Sequence, residues 1–111
     1  MLHFYAIADQ HPEPDTLIDL RFLGFMSERE HQDLKGLWEA VEGTSLNLQE
    51  GLKVRLLLSQ VKGLQEQLLG LYEHKPHLWE HSSYKHFEEV LRVALTEHCG
   101  MLVLPHEKKP G

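Results

Sequence analysis

The 111-residue chain is short of the features by which chemistry is usually read from sequence. It has a single cysteine, Cys99, so no internal disulfide can form, and a reducing cytoplasm is the compartment that fits. No run of about 18 apolar residues occurs, which excludes a transmembrane helix and makes a membrane partner unexpected. Residues 1–8 are apolar but lack the basic leader and cleavage site of a secretory signal. There is no glycine-rich phosphate loop, no Gly-x-Ser-x-Gly elbow, no paired-histidine zincin motif and no internal repeat. No basic patch suited to a nucleic-acid backbone is visible, so nucleic acid is not the expected partner. No catalytic residue, metal or cofactor is therefore assigned, and a non-catalytic role is favoured over an enzymatic one.

What is present is an uneven charge distribution. Residues 1–42 hold nine acids against Arg21, Arg29 and Lys35, a net of −6, while residues 43–111 hold eight of each sign. Acidity confined to one part of a small chain suits either a solvated surface or a basic protein partner. Nine histidines would move the balance from −6 to +3 if all protonated, so the net charge crosses zero below neutrality and any association should depend on pH. Apolar residues at 41% and charged ones at 25% are globular proportions. The expected organisation is a single domain over 1–104 with a polar tail at 105–111.

The fold class expected is α+β and helix-dominated, with an all-α bundle as the alternative. Residues 2–8 (LHFYAIA) read as a strand ended by the proline-bearing QHPEPD. Residues 17–25 (LIDLRFLGF) read as its hairpin partner, with Ile18, Leu20 and Phe22 on one face. Ser27 and Glu30 form a capping-box pattern, and Leu34, Leu37, Trp38 and Val41 follow at helical spacing, which predicts a helix over 27–42 ended by Gly43. The longest periodic segment surrounds Val54, Leu57, Val61, Leu64, Leu68 and Leu71, and predicts a central helix over 48–73, roughly 39 Å long. Pro76 stops it. A third helix over 83–99, capped by Ser82 or Ser83, carries Phe87, Val90, Leu91, Ala94, Leu95 and His98 on one face and ends at Gly100. Residues 101–104 (MLVL) then offer a strand to the N-terminal pair.

Two surfaces stand out on these predicted helices. Glu28, Gln32, Lys35, Glu39 and Glu42 form a mostly acidic row opposite the apolar stripe of the first helix. Glu28, Gln32, Glu39 and Glu42 are the candidate contacts for a basic partner. On the central helix, Leu52, Leu56, Gly63 and Gly70 fall opposite the main stripe, the pattern of a second packing face or of a homodimer contact.

Three short constellations bear on chemistry. His74, His77, His81 and His86 lie within thirteen residues, with His77 and His81 at a spacing two metal ligands share on a helix, but Pro76 and the serine pair at 82 and 83 argue against a regular helix there. Asp33-Leu34-Lys35-Gly36 resembles a run in histidine phosphotransfer domains, whose phosphorylated histidine sits two residues before the leucine. Here that position is Gln32, and His31 is displaced onto another helix face, so phosphotransfer is not expected. Arg92 and His98 form an R-x5-H pattern that resembles the short signature of HEPN-type ribonucleases, small helical domains usually acting as dimers. The resemblance implies an arginine holding phosphate and a histidine moving a proton. The alternative is that His98 simply closes an apolar helix face. Cys99 beside His98 has no third member with which to form a nucleophile.

The leading expectation is an acidic protein-binding module of inhibitor or immunity type that neutralises a partner protein. The rivals are a HEPN-like ribonuclease using Arg92 and His98, and a homodimeric scaffold or assembly chaperone.

Overall fold

The computed structural model describes residues 1–14, 16–49 and 51–105. The chain runs through β1 (Leu2–Ile7), β2 (Arg21–Met26), α1 (Glu28–Asp33), α2 (Lys35–Ala40), β3 (Val54–Leu56), α3 (Leu58–His74), a 3-10 turn (Pro76–Glu80), α4 (Ser82–Thr96) and β4 (Gly100–Pro105). The strands form one antiparallel sheet in the order β2-β1-β4-β3. This is a small α+β fold rather than an all-α bundle. The segment expected to begin the tail, Pro105, closes β4, and 106–111 lie outside the described residues, as does Asp15 of the proline-bearing loop.

The run MLVL has no polar alternation because β4 is an inner strand with both faces covered: Met101, Leu102 and Val103 are all buried. Leu2, Phe4, Met26, Leu56, Met101 and Val103 lie on the face packed by helices. Against it stand Leu34, Leu37 and Trp38, then Val61, Leu64 and Leu68 of α3, then Phe87, Val90, Leu91 and Ala94 of α4. Phe87 is the hinge of this layer. Its ring lies 5.8 Å from Phe4 of β1 in a tilted contact and 5.8 Å from Trp38 of α2 edge-on, so one side chain joins sheet and helices.

Four expectations from the pattern are corrected. The central helix begins at Leu58 and spans 17 residues, about 26 Å, rather than 48–73. Residues 54–56 pair with β4 instead, and Gly51 at φ 81 turns the chain before them. The start of α3 is fixed from far away, since Asp9 Oδ1 accepts the Leu58 N–H at 2.8 Å while Gln60 Oε1 accepts that of Leu57 at 2.8 Å. Second, 17–20 form a turn, closed by the Leu20 N–H to Leu17 O bond at 3.1 Å, so β2 starts only at Arg21 and Ile18 is 87% exposed. Leu23 is an extra residue in β2, leaving Phe4 opposite Gly24 and Tyr5 opposite Phe22. Gly24 takes φ 150 at this bulge, a backbone angle open to glycine. Third, the first helix is interrupted at Leu34, which ends α1 and begins α2 while remaining fully buried. The third helix also ends sooner than 99: it turns at His98, whose φ is 55, and Gly100 belongs to β4.

Gly100 has its own reason to be glycine. A Cβ there would lie 2.1 Å from the Leu56 carbonyl oxygen, so the β3–β4 ladder closes only over a bare backbone. A Cβ at Gly70 would meet nothing within 4 Å. Gly100→Ala should therefore destabilise the protein by about 2–3 kcal/mol through overpacking, whereas Gly70→Ala should stabilise it by up to about 1 kcal/mol through helix propensity. Urea unfolding of the two variants checks both signs.

Burial also acts on Tyr72, whose hydroxyl is enclosed with no hydrogen-bond partner among the described residues. Its pKa is pushed up to about 12, by burial first and then by the charges of Glu88 and Tyr84. The folded state thus keeps a proton that the unfolded chain gives up from about pH 10, so this residue's contribution is intact below pH 10 and lost as pH climbs toward 12. Tyr72→Phe should leave neutral-pH stability unchanged or raised by about 1 kcal/mol, and flatten the alkaline decline, as read from unfolding midpoints across that range.

Candidate functional site

The acidic segment from Ser27 to Glu42 sorts its carboxylates by the side of the helix they occupy. Ser27 caps α1 as its sequence announces, with Oγ accepting from the Glu30 N–H at 3.1 Å and Glu30 Oε1 accepting from the Ser27 N–H at 3.4 Å. The other oxygen of Glu30 meets Nδ1 of His86 on α4 at 2.6 Å. Asp33 Oδ2 accepts the buried Ser83 hydroxyl at 2.8 Å. Two acids are thus committed to fastening α1 onto α4. Glu28, Gln32, Glu39 and Glu42 are all exposed, and among the described residues the one ion pair they make is that of Glu39 with Lys35, at 3.7 Å.

Beneath the outer group lies Trp38, held from several directions. Its indole N–H donates to the His31 carbonyl at 2.8 Å, and its ring stacks on the His31 imidazole with centroids 5.0 Å apart. That imidazole in turn hydrogen-bonds the Leu48 carbonyl through Nε2 at 2.5 Å. The outcome is an open hollow of about 320 Å³ lined by Lys35, Trp38, Glu39, Glu42 and Asn47. Two of the four residues expected to contact a partner, Glu39 and Glu42, line it, while Glu28 and Gln32 lie on α1, outside the hollow. The sequence pattern marks Trp38 only as a core position.

The second expected face is not formed. Leu52 lies exposed in the connection before β3, Leu56 is buried in β3 itself, Gly63 faces the Leu46 side chain, and Gly70 opens to space. They belonged together only on a helix over 48–73.

The other constellations are also dispersed. His74 ends α3 and His77 lies exposed in the 3-10 turn. His81 caps α4, its Nδ1 accepting the Ser83 N–H at 3.2 Å, and His86 is paired with Glu30. Among the described residues no group of three or more His, Cys, Asp or Glu is placed to hold a metal ion. Arg92 pairs with Glu89 on the surface of α4, and His98 is exposed beyond the helix end. Burial, followed by the charges of Glu97 and Asp9, raises the Cys99 thiol pKa, the opposite of what an activated nucleophile needs. Among the described residues no helix is long and apolar enough to cross a membrane.

A feature the pattern did not show is the hub at Arg55. Its guanidinium donates to the carbonyls of Ala8, Asp9 and His11 at 3.0, 3.4 and 2.6 Å and lies 3.9 Å from Glu13, which also pairs with Lys53. The loop after β1 is thereby fastened beside β3, where Asp9 can cap α3. Lys53 holds the Glu13 carboxyl pKa below its ordinary value. No protein-family model matches the chain, and no curated protein or solved structure matches it.

The division of the carboxylates has a measurable consequence. Ser83→Ala strands Asp33 without its partner and should destabilise the fold by about 1–2 kcal/mol. Glu39→Ala and Glu42→Ala should each stay within about 0.5 kcal/mol of the parent. Urea denaturation distinguishes the two groups.

Proposed function

We propose that the protein is a non-catalytic binding module of inhibitor or immunity type, which neutralises a partner protein by docking a basic surface on the α1–α2 face. The observation that carries the reading is that Glu39 and Glu42 flank an open hollow over an immobilised Trp38, while the inward acids Glu30 and Asp33 are already engaged. The concentration of net negative charge in residues 1–42 supports it as well.

The physical sequence is attraction followed by lodging. Outward carboxylates draw a basic surface at long range and raise the encounter rate. A lysine or arginine of the partner then enters the hollow, competing with Lys35 for Glu39, while Glu42 adds counter-charge and the rigid indole supplies an apolar floor. Because Trp38 is fixed before contact, little ordering entropy is lost on binding.

The experiment is affinity capture with two baits, the parent chain and a Glu39→Lys/Glu42→Lys variant, followed by association kinetics on the captured protein. A specific binder with a basic surface should be held by the parent and lost by the variant. Its association rate should fall about tenfold or more, with a flatter dependence on salt. Equal capture by both baits, or an unchanged on-rate, overturns the assignment.

A further inference from the structure

The two edges of the sheet are finished differently. β3 has only three residues, is preceded by Lys53 and carries Arg55 at its centre, both engaged with Glu13 of the fastened loop. β2 has six residues, RFLGFM, with neither lysine nor proline, and no strand pairs with its outer side among the described residues. Its one charged residue, Arg21, stands at the end and is bridged to Glu97 at 2.8 Å. Sheet edges that must stay solitary are commonly blunted by short length, lysine, proline or a covering element. β3 has short length and basic residues, whereas the one such device in β2 is the bulge at Leu23, which can also twist an edge away from a partner.

The bulge at Leu23 gives β2 a second property. Phe22 and Phe25 are three residues apart yet sit on the same face, opposite Tyr5 and His3 respectively, with the Phe25 ring also reaching the His86 ring of α4 at 6.4 Å. They remain 49% and 46% exposed. If β2 is laid antiparallel on a copy of itself with Leu23 opposite the second copy's Gly24, every residue keeps its face. Phe22 of each copy then meets Phe25 of the other, and Arg21 meets Met26 on the helical side. The pattern is self-complementary about a two-fold axis.

Asp19 precedes β2 and Arg29 follows it in α1; both are exposed and neither has an ionic partner among the described residues. Antiparallel pairing brings the Asp19 turn of one copy beside the start of α1 in the other, where Arg29 offsets the repulsion between Asp19 and Glu28. The axis produces this contact twice. We propose that β2 is a dimerisation edge, through which two copies of the chain join their four-stranded sheets into one eight-stranded antiparallel sheet with a row of four phenylalanines across the seam. An isologous contact of this kind closes on itself and covers the longer of the two sheet edges among the described strands.

The test is molar mass in solution by sedimentation equilibrium across a range from low to high micromolar. The 12.9 kDa chain should give twice its mass at the upper end. Phe22→Asp and Phe25→Asp should each give the monomer mass with unchanged circular dichroism, because both side chains are half exposed in the single chain. Cross-linking fixes the register: in a Cys99→Ser background, a mixture of Phe22→Cys and Phe25→Cys chains should oxidise mainly to the mixed disulfide. A monomer mass at all concentrations overturns the proposal. So does a dimer that survives both aspartate variants, or one whose disulfides form mainly between like chains.

Discussion

The pairing of β4 with both β1 and β3 is the constraint on which the rest of the structure depends. It brings residues 2–7 against residues 100–105 and so fixes the two ends of the fold before any helix can be placed. Once β4 lies between its neighbours, the inner face offers Phe4, Met101 and Val103 as one apolar surface, and α4, which leads directly into β4, must lie across it. Phe87 then touches both Phe4 and Trp38, so the position of α2, and with it the acidic face, follows from a strand pairing far away in sequence. Gly100 shows how tight the closure is: the ladder admits no side chain where β4 begins.

The parts of this fold legible in the sequence are those set by neighbours in the chain. Ser27 and Glu30 announce the start of α1, Pro76 the end of α3, and the spacing of Phe87, Val90, Leu91 and Ala94 the buried face of α4. All of these depend on contacts within a few residues. The start of α3 was misread because Val54, Leu57 and Val61 continue the helical spacing, while the interactions that cut it short come from Asp9 and from β4. Leu56 illustrates the point: its spacing suits a helix, but the backbone partner waiting for it in β4 decides the matter. The bulge at Leu23 was illegible for a similar reason, since only the register against β1 shows which residue is extra.

The same distinction applies to the acidic face. The outward direction of Glu28, Gln32, Glu39 and Glu42 follows from helical spacing and could be read in advance. That Glu30 and Asp33 are spent on α4, and that His31 and Leu48 brace the indole of Trp38, are tertiary facts. They convert a charged stripe into a hollow with a rigid floor. Arg55, a lone cation in an apolar run, carried no signal at all, because its three carbonyl acceptors lie more than forty residues earlier.

Synthesis on the ribosome meets β4 last of all the strands. Until residue 100 and its successors emerge, β1 and β3 are two separate strands with a vacant slot between them, and the apolar faces of Leu2, Phe4 and Leu56 have no ladder to complete. The helices can coil earlier, but the layer they pack upon does not yet exist. Folding is therefore completed only once β4 has emerged, and until then the nascent chain has an open sheet, the stage at which a chaperone would find it.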